Sequence, residues 1–456
     1  MFQQFINRTK ELKILKDRYN SKKPEFLIVY GRRRVGKTEL ITHFIKNKPN
    51  IYFLAEEKRD LDNLKDFQII IGKYLNDPEF EKIKFNDWTE LFKSFSKKNK
   101  KRCVVVIDEF PYIVKRNSSV PSKFQKIWDI YLKNSNIVLI IVGSSVSMME
   151  KLLGAESPLH GRRTGQLEIK PMSMPELKKF LPKYTLEDCI KIYGCVDGIP
   201  LYIKQFTDKK SFNENIKTAF LQRDSVLYTE AEILLKQEFR DTANYFSILK
   251  AISFGNTKHN EIVNYTDIDK SIISKYLQNL EKIRIIKKEY VITDRKEKRT
   301  NLKYGFTDNY FRFWFRFIYP NKTFIEKSEI NEIARIIMRN YNTYLGFIFE
   351  EVVMDILWKI RPIQFTKIGR WWHKDKEIDL VALDEDKKEI GFFEVKWKDL
   401  KEKEARKILR ELKEKSEFVD WNLDNRKEFF GVIAKKIENK NKLRKEGFFV
   451  YDLRDF

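Results

Sequence analysis

The sequence is poor in cysteine: Cys103, Cys189 and Cys195 are the three thiols in 456 residues. Their spacing forms neither a metal-binding pattern nor a disulfide framework. This fits a reducing compartment, and the expected location is cytoplasmic. Long apolar runs are lacking too. The longest, "IVLIIVG" at 137–143, is far too short to span a bilayer. The opening "MFQQFINRTKELKIL" has no uninterrupted apolar stretch and no small-residue cleavage site, so no secretion signal is expected. Internal repeats and low-complexity linkers are also missing, and domain borders must be read from changes of pattern. Acid is in short supply: Lys and Arg total 90 against 66 Asp and Glu, a formal charge of +24. Such an imbalance points to a polyanion, either nucleic acid or an anionic membrane surface. DNA is the expected partner and a membrane is not. A Lys- and Glu-rich solvated surface would account for the 34% charged residues, but not for their imbalance.

The chain does have ample material for packed cores. Hydrophobic residues make up 42% of it. Its length exceeds one ordinary core, so about two to four domains are expected.

Residues 26–38 read "FLIVYGRRRVGKT" and lead into the helical "ELITHFIKN". An apolar strand, Gly31, four residues, Gly36-Lys37-Thr38 and a helix form a P-loop in its required context. Gly31 and Gly36 let the loop wrap so that backbone N–H groups of Arg32, Arg33, Arg34 and Val35 face phosphate oxygens. The helix N-terminus adds partial positive charge. Lys37 reaches the β- and γ-phosphates of ATP, and the Thr38 hydroxyl is a ligand for Mg²⁺. A second acid is needed, and "CVVVIDE" at 103–109 supplies it. Its β-branched run reads as a buried parallel strand. Asp108 at the strand's C-terminal end would hold the metal's water shell, and Glu109 would polarise the attacking water. A further strand, "IVLIIVGSS", ends in Ser144 and Ser145. Then comes "SPLHGRRTGQLEI", in which Arg162 and Arg163 are candidates for an arginine finger, in cis or across a subunit interface of a homo-oligomer. A solvated arginine pair is the plain alternative.

"FINRTKEL", "GRRRVGKT", "VVVIDEF", "GSS" and "SPLHGRRTG", in that order, resemble the P-loop ATPase family found predominantly in archaea, near the AAA+ and STAND branches. "CVDGIPLYI" at 195–203 is similar to the Gly-x-Pro stretch of that family's helical lid. Asp197 stands where members often carry a second glycine. The resemblance implies that Arg8 sits near the adenine. It also implies that a serine of the Ser144-Ser145 pair occupies the sensor position of related ATPases, with an ordinary strand-to-loop serine as the alternative.

From about 171 to 240 the apolar spacing is helical. Residues 244–305 then read helix, helix, helix, β-ribbon. The third helix lies in "DIDKSIISKYLQNLEKI", with Asp267 or Asp269 as N-cap and Ile272, Ile273, Tyr276, Leu277 and Leu280 as its apolar face. This is the order of a winged helix-turn-helix. Residues 269–303 hold eleven Lys or Arg against five Asp or Glu. Lys270, Ser271, Ser274, Lys275 and Gln278 are expected to face outward, toward DNA phosphates and base edges. Protein docking is the alternative. The aromatic "YFRFWFRFIYP" at 310–320 is read as core rather than as a base-stacking surface.

Near the C-terminus, "EIDLVALDEDKKEIGFFEVKWK" at 377–398 reads as two strands and a charged turn. Side chains alternate along a strand, so Glu394 and Lys396 share a face, and hairpin pairing brings Asp379 toward them. Two facing carboxylates repel unless a cation intervenes, and Mg²⁺ favours such oxygens. With Glu350 on the preceding helix, the order resembles the PD-(D/E)XK nuclease superfamily and the domain of unknown function usually fused to the archaeal ATPase. Ile378 replaces the usual proline. The plain alternative is an amphipathic hairpin with a Glu394–Lys396 salt bridge. The expected fold class is therefore α/β multidomain. It comprises an AAA+-like P-loop ATPase core at 1–170, a helical lid at 171–240, a winged helix-turn-helix at 241–320 and a restriction-endonuclease-like α/β domain at 321–456.

Overall fold

The structure is a computed structural model that describes residues 5–294 and 301–456. The expected charged tip of the ribbon, Arg295 to Arg299, lies outside the described residues. The chain forms two compact units: residues 1–172 with 199–201, and residues 173–198 with 202–456.

The first unit is built on a five-stranded parallel sheet. Its strands are β1 (Glu25–Tyr30), β2 (Asn50–Leu54), β3 (Cys103–Asp108), β4 (Ile137–Gly143) and β5 (Gly165–Glu168), in the order β2-β3-β4-β1-β5. β1, β3 and β4 are buried along their whole length. A strand with helices on both faces must be apolar at every position, which is why these three read as unbroken hydrophobic runs. The two faces separate by alternation. Phe26, Ile28, Val105, Ile107, Leu139 and Ile141 enter one core, and Leu27, Val29, Val104, Val106, Val138 and Ile140 enter the other. Tyr30 pairs with Gly143 and Leu54 with Asp108, so the loops after β1, β3 and β4 emerge at one sheet edge. That edge, outside the C-terminal strand ends, is where open α/β sheets bind ligands.

The second unit begins with helical segments. Among them is Leu186–Val196, capped by the Thr185–Asp188 box. Three helices follow, Ala243–Ser253, His259–Thr266 and Lys270–Lys282. After them come two short antiparallel strands, β6 (Ile286–Glu289) and β7 (Lys303–Phe306). The aromatic stretch is core: Tyr310, Phe311, Phe313, Trp314 and Phe315 are all buried. The polar atoms of its Tyr310 and Trp314 are satisfied inside. Tyr310 Oη accepts from Ala231 N–H and donates to the Leu227 carbonyl, and the Trp314 indole N–H donates to the Tyr228 carbonyl.

A 31-residue helix, Ile330–Ile360, leads into the second sheet. This sheet comprises β8 (Lys367–His373), β9 (Lys376–Asp384), β10 (Glu389–Leu400), β11 (Lys427–Ile437) and β12 (Phe449–Asp452), in the order β12-β11-β10-β9-β8. β8, β9 and β10 are antiparallel. The helix Glu402–Ser416 then carries the chain to β11, which runs parallel to β10. Among the described residues no helix is long and apolar enough to cross a membrane.

Candidate functional sites

The loop after β1 is shaped by its glycines. A Cβ on Gly31 would lie 2.2 Å from the Ile169 carbonyl oxygen, so a side chain there requires the backbone to move. Gly36 has φ +90°, in the left-handed region, and caps the helix Lys37–Ile45. Val35 is fully buried in the sheet core and anchors the loop from below. Arg8 braces it from the side: its guanidinium donates to the Val35 carbonyl at 2.9 Å and to the Lys170 carbonyl at 2.7 Å, and pairs with Glu11. Arg8, which the resemblance places near the adenine, here supports the P-loop through these carbonyls.

Lys37 is 6% exposed, and its ammonium donates to the Gly31 and Arg32 carbonyls at 2.9 Å each. Burial pulls its pKa down to about 8, against the opposing pull of Glu109 and Asp108, while Arg33 lowers it further. The Thr38 hydroxyl donates to Asp108 Oδ2 at 2.8 Å. Asp108, 1% exposed, also accepts from Tyr52 Oη on Oδ2 at 2.7 Å and from the Glu109 N–H on Oδ1 at 2.8 Å. The 2.8 Å between Thr38 Oγ1 and Asp108 Oδ2 is close to the about 3 Å separating neighbouring oxygens of an octahedral Mg²⁺ shell. The donor set therefore fits the ion. Glu109 adopts φ +52°, uncommon for a non-glycine residue. Its two carboxylate oxygens each accept from Ser144 Oγ at 2.8 Å. Of the two serines, Ser144 reaches the acid, while Ser145 sits at the N-cap of the next helix without a side-chain cap bond.

Arg162 and Arg163 are placed elsewhere. Arg162 contacts Asp129 and the His160 carbonyl, and Arg163 contacts the Leu153 carbonyl. They precede β5, whose neighbour Thr164 bonds Phe26 at the start of β1, whereas the P-loop leaves the end of β1. Four residues of strand separate those ends by about 13 Å. Both arginines therefore lie toward the start of β1, the opposite end of that strand from the P-loop.

In the second unit, β9 and β10 form the expected hairpin, with Leu380 opposite Phe393. Asp379 therefore faces Glu394. Asp379 Oδ2 accepts from Val395 N–H at 2.8 Å and from Lys396 Nζ at 2.9 Å. Lys396 Nζ also donates to Glu394 Oε2 at 2.6 Å, and Lys415 from the helix Glu402–Ser416 reaches Glu394 Oε1 at 2.7 Å. Glu350 pairs with Arg370 of β8 at 2.6 Å. Burial raises the Glu350 carboxyl, with Arg370 opposing and Asp379 adding to the rise. Burial likewise raises Glu394, and Asp379 adds to it. Each acid already holds a cationic side chain. Among the described residues no group of three His, Cys, Asp or Glu is gathered to hold a metal ion. In this arrangement the Lys396 ammonium stands between the two carboxylates.

Residues 5–206 match the family described as an ATPase domain predominantly from Archaea, and residues 314–408 match a family of archaeal and bacterial proteins of unknown function. An uncharacterized protein of Methanocaldococcus jannaschii is 41% identical over 460 residues, covering 99% of this chain and 100% of its own length. The chain belongs to one family with this M. jannaschii protein, and its residues 5–206 carry the archaeal ATPase domain. A second M. jannaschii protein, an uncharacterized ATP-binding protein, is 52% identical over 44 residues, 10% of this chain and 75% of its own. Among solved structures, the Walker-type ATPase of Pyrococcus abyssi shares the fold with a TM-score of 0.50 at 19% identity, over 69% of this chain and 97% of that one.

In this ATPase-family chain the helix Lys270–Lys282 presents Lys270, Ser271, Ser274, Lys275 and Gln278 on its exposed side. Asp269 is the N-cap and accepts from Ser271 N–H, whereas Asp267 ends the preceding helix with φ +56°. The expected apolar face needs one correction. Ile273, Leu277 and Leu280 are buried and Tyr276 half-buried, but Ile272 is 46% exposed. Residues 273, 277 and 280 follow the i, i+4, i+7 stripe, and residue 272 falls one step, about 100°, off it. Tyr52 and Tyr112 carry no motif that singles them out in the sequence. Tyr52 bonds Asp108, and the Tyr112 hydroxyl accepts from Arg33 at 3.3 Å. The one local signal for Tyr52 is its half-buried position in a strand whose other face is core.

Proposed function

We propose that the chain is a Mg²⁺-dependent ATPase whose nucleotide state controls its contact with DNA. The observation that carries this reading is the pairing of Thr38 with Asp108 beside the buried Lys37 ammonium, with Glu109 held next to them by Ser144. Lys37 would exchange its two loop carbonyls for the β- and γ-phosphates, and N–H groups from Gly31 to Gly36 would line the same anion. Thr38 and Asp108 would hold the metal, which neutralises charge gathering on the phosphates. Glu109 would take the proton of the attacking water after leaving Ser144. Arg162 and Arg163 would act only on a neighbouring subunit of a homo-oligomer.

The three helices and ribbon at 241–320 support a winged helix-turn-helix, with the exposed lysines of Lys270–Lys282 on phosphates and Ser271 and Gln278 on base edges. Residues 171–240 serve as lid, and 321–456 form the nuclease-like part. For this last part the lysine lodged between Asp379 and Glu394 favours a nuclease-like fold retained for docking or regulation. DNA cleavage is the second reading, favoured by the convergence of Asp379, Glu394 and Lys396.

One set of assays separates these readings. ATP turnover is measured with and without duplex DNA, and plasmid nicking is followed with Mg²⁺ beside a Lys396→Ala variant. Turnover lost in Lys37→Ala and stimulated by DNA is expected. Lys270→Glu with Lys275→Glu should weaken DNA binding and reduce its salt slope by about two. Turnover surviving Lys37→Ala refutes the ATPase site, and unchanged DNA affinity in the double variant refutes the helix assignment. Nicking that disappears in Lys396→Ala would establish the second reading.

A further inference from the structure

The second unit contains a cavity of about 410 Å³ that the ATPase reading does not use. It opens between the turn after helix Ala243–Ser253, strand β7 and the long helix Ile330–Ile360. Its size is in the range of small-molecule sites, about 300–1,000 Å³. Four cationic side chains and two carboxylates line it: Lys303, Arg312, Arg316 and Arg370, with Glu289 and Glu377. Three of the cations are already matched. Arg312 pairs with Glu351 at 3.0 Å, Arg370 with Glu350 at 2.6 Å, and Lys303 with Glu377 at 3.6 Å. Glu289 lies between Lys287 at 3.2 Å and Arg370 at 3.9 Å.

Arg316 is the exception. Among the described residues it has no carboxylate within ion-pair distance. Among the described residues its one hydrogen bond is a long contact of 3.4 Å to the Ser253 carbonyl, and its guanidinium lies 4.4 Å over the Phe254 ring. A guanidinium carries five donors in a planar fork suited to phosphate and carboxylate. Partial burial with no anion nearby lowers its pKa, so the charge is held at a cost that an incoming anion would relieve. The walls beside it are aromatic and partly exposed. Phe254 is 42% and Phe347 54% exposed, and both line the cavity with Tyr304 and Phe306. Exposed rings at a concave charged site suit a planar ligand. Asn340 and Thr343, one helical turn apart on the rim, offer both donors and acceptors.

We propose that this cavity binds a nucleoside 5′-phosphate, with the phosphate on Arg316 and the base against Phe254 and Phe347. The same chemistry is presented by a free mononucleotide and by the 5′-phosphorylated end of a single strand. The site is built entirely from second-unit residues, and its occupancy does not depend on the triphosphate-site reading.

The test uses the full chain carrying Lys37→Ala, which removes phosphate binding at the P-loop. The four nucleoside 5′-monophosphates, adenosine, inorganic phosphate and a short 5′-phosphorylated oligonucleotide are titrated by calorimetry. Saturable binding of a monophosphate or of the oligonucleotide, tighter than adenosine or phosphate alone, is expected. Arg316→Gln should weaken it about ten- to a hundredfold, the worth of hydrogen bonds to a charged group. Because Arg316 is partly buried, Thr343→Trp provides a second variant. It fills the rim from an exposed helix position and should also abolish binding. Circular dichroism, and ATP turnover with Lys37 restored, should be unchanged in both. A preference for the oligonucleotide identifies a strand end as the source, and a preference for the free monophosphate identifies a small ligand. No saturable binding, phosphate binding as tightly as the nucleotides, or binding unmoved by both variants overturns the proposal.

Discussion

Lys37 makes a sharp prediction about pH. Its ammonium is held in a buried loop by two carbonyls, and burial brings its pKa to about 8. A nucleotide triphosphate needs the charged form. Binding above that pH therefore takes up a proton, and the cost grows as the lysine empties. The sign follows from the depressed value: affinity is full below about pH 8 and is lost as pH rises through it. At pH 9, one unit above, neutral lysine outnumbers charged by about ten to one, so the dissociation constant should rise about elevenfold, or about 1.4 kcal/mol. The terminal phosphate titrates lower, at about 6, and does not contribute in this range. The assay is calorimetric titration with a non-hydrolysable ATP analogue and Mg²⁺ from pH 6.5 to 9.5. Two buffers of different ionisation heat should reveal uptake of about half a proton at pH 8. Lys37→Arg, charged throughout this range, should bind more weakly but with a flat profile. A wild-type constant unchanged to pH 9, with the fold intact by circular dichroism, refutes the argument.

Four further outcomes are expected. Glu109→Gln should retain nucleotide binding while turnover falls about 10²- to 10⁴-fold, the usual worth of a general base. Ser144→Ala should change turnover without changing nucleotide affinity, and an affinity change would mean that Ser144 acts on the nucleotide rather than on Glu109. Lys396→Met leaves Asp379 and Glu394 facing each other without their shared ammonium. It should cost about 3–5 kcal/mol in urea denaturation, partly restored by Mg²⁺, and an unmoved midpoint would show that the lysine is not what reconciles the two acids. Trp314→Phe removes the indole donor to the Tyr228 carbonyl. A loss of about 1–3 kcal/mol is expected, and full stability would mean that the carbonyl finds another donor.

Much of the candidate chemistry was legible because it is local. Gly31, Gly36, Lys37 and Thr38 act within one strand–loop–helix turn. Asp108 and Glu109 end a strand that must be apolar on both faces, so they stand out against Val104 to Ile107. The pairing of Asp379 with Glu394 follows from alternation and a short turn. The aromatic run at 310–320 was identifiable as core because two arginines are too few to make a surface of it.

What periodicity could not supply is which distant segment lies next to which. That β4 enters between β1 and β3, that Tyr52 of the neighbouring strand shares Asp108 with Thr38, and that Arg163 sits at the far edge of the sheet from the loop are all consequences of strand order. Packing on two faces decides strand order, and no run of neighbouring residues records it. The same holds for Arg370 and Lys415, which close the acids of the second unit from a different strand and a different helix. By itself the amino-acid order determined which groups this ATPase can offer to a phosphate. The tertiary structure decided which of them meet, because a salt bridge or a shared proton requires contact within about 3 Å, and contact between residues far apart in the chain is set by how the cores pack.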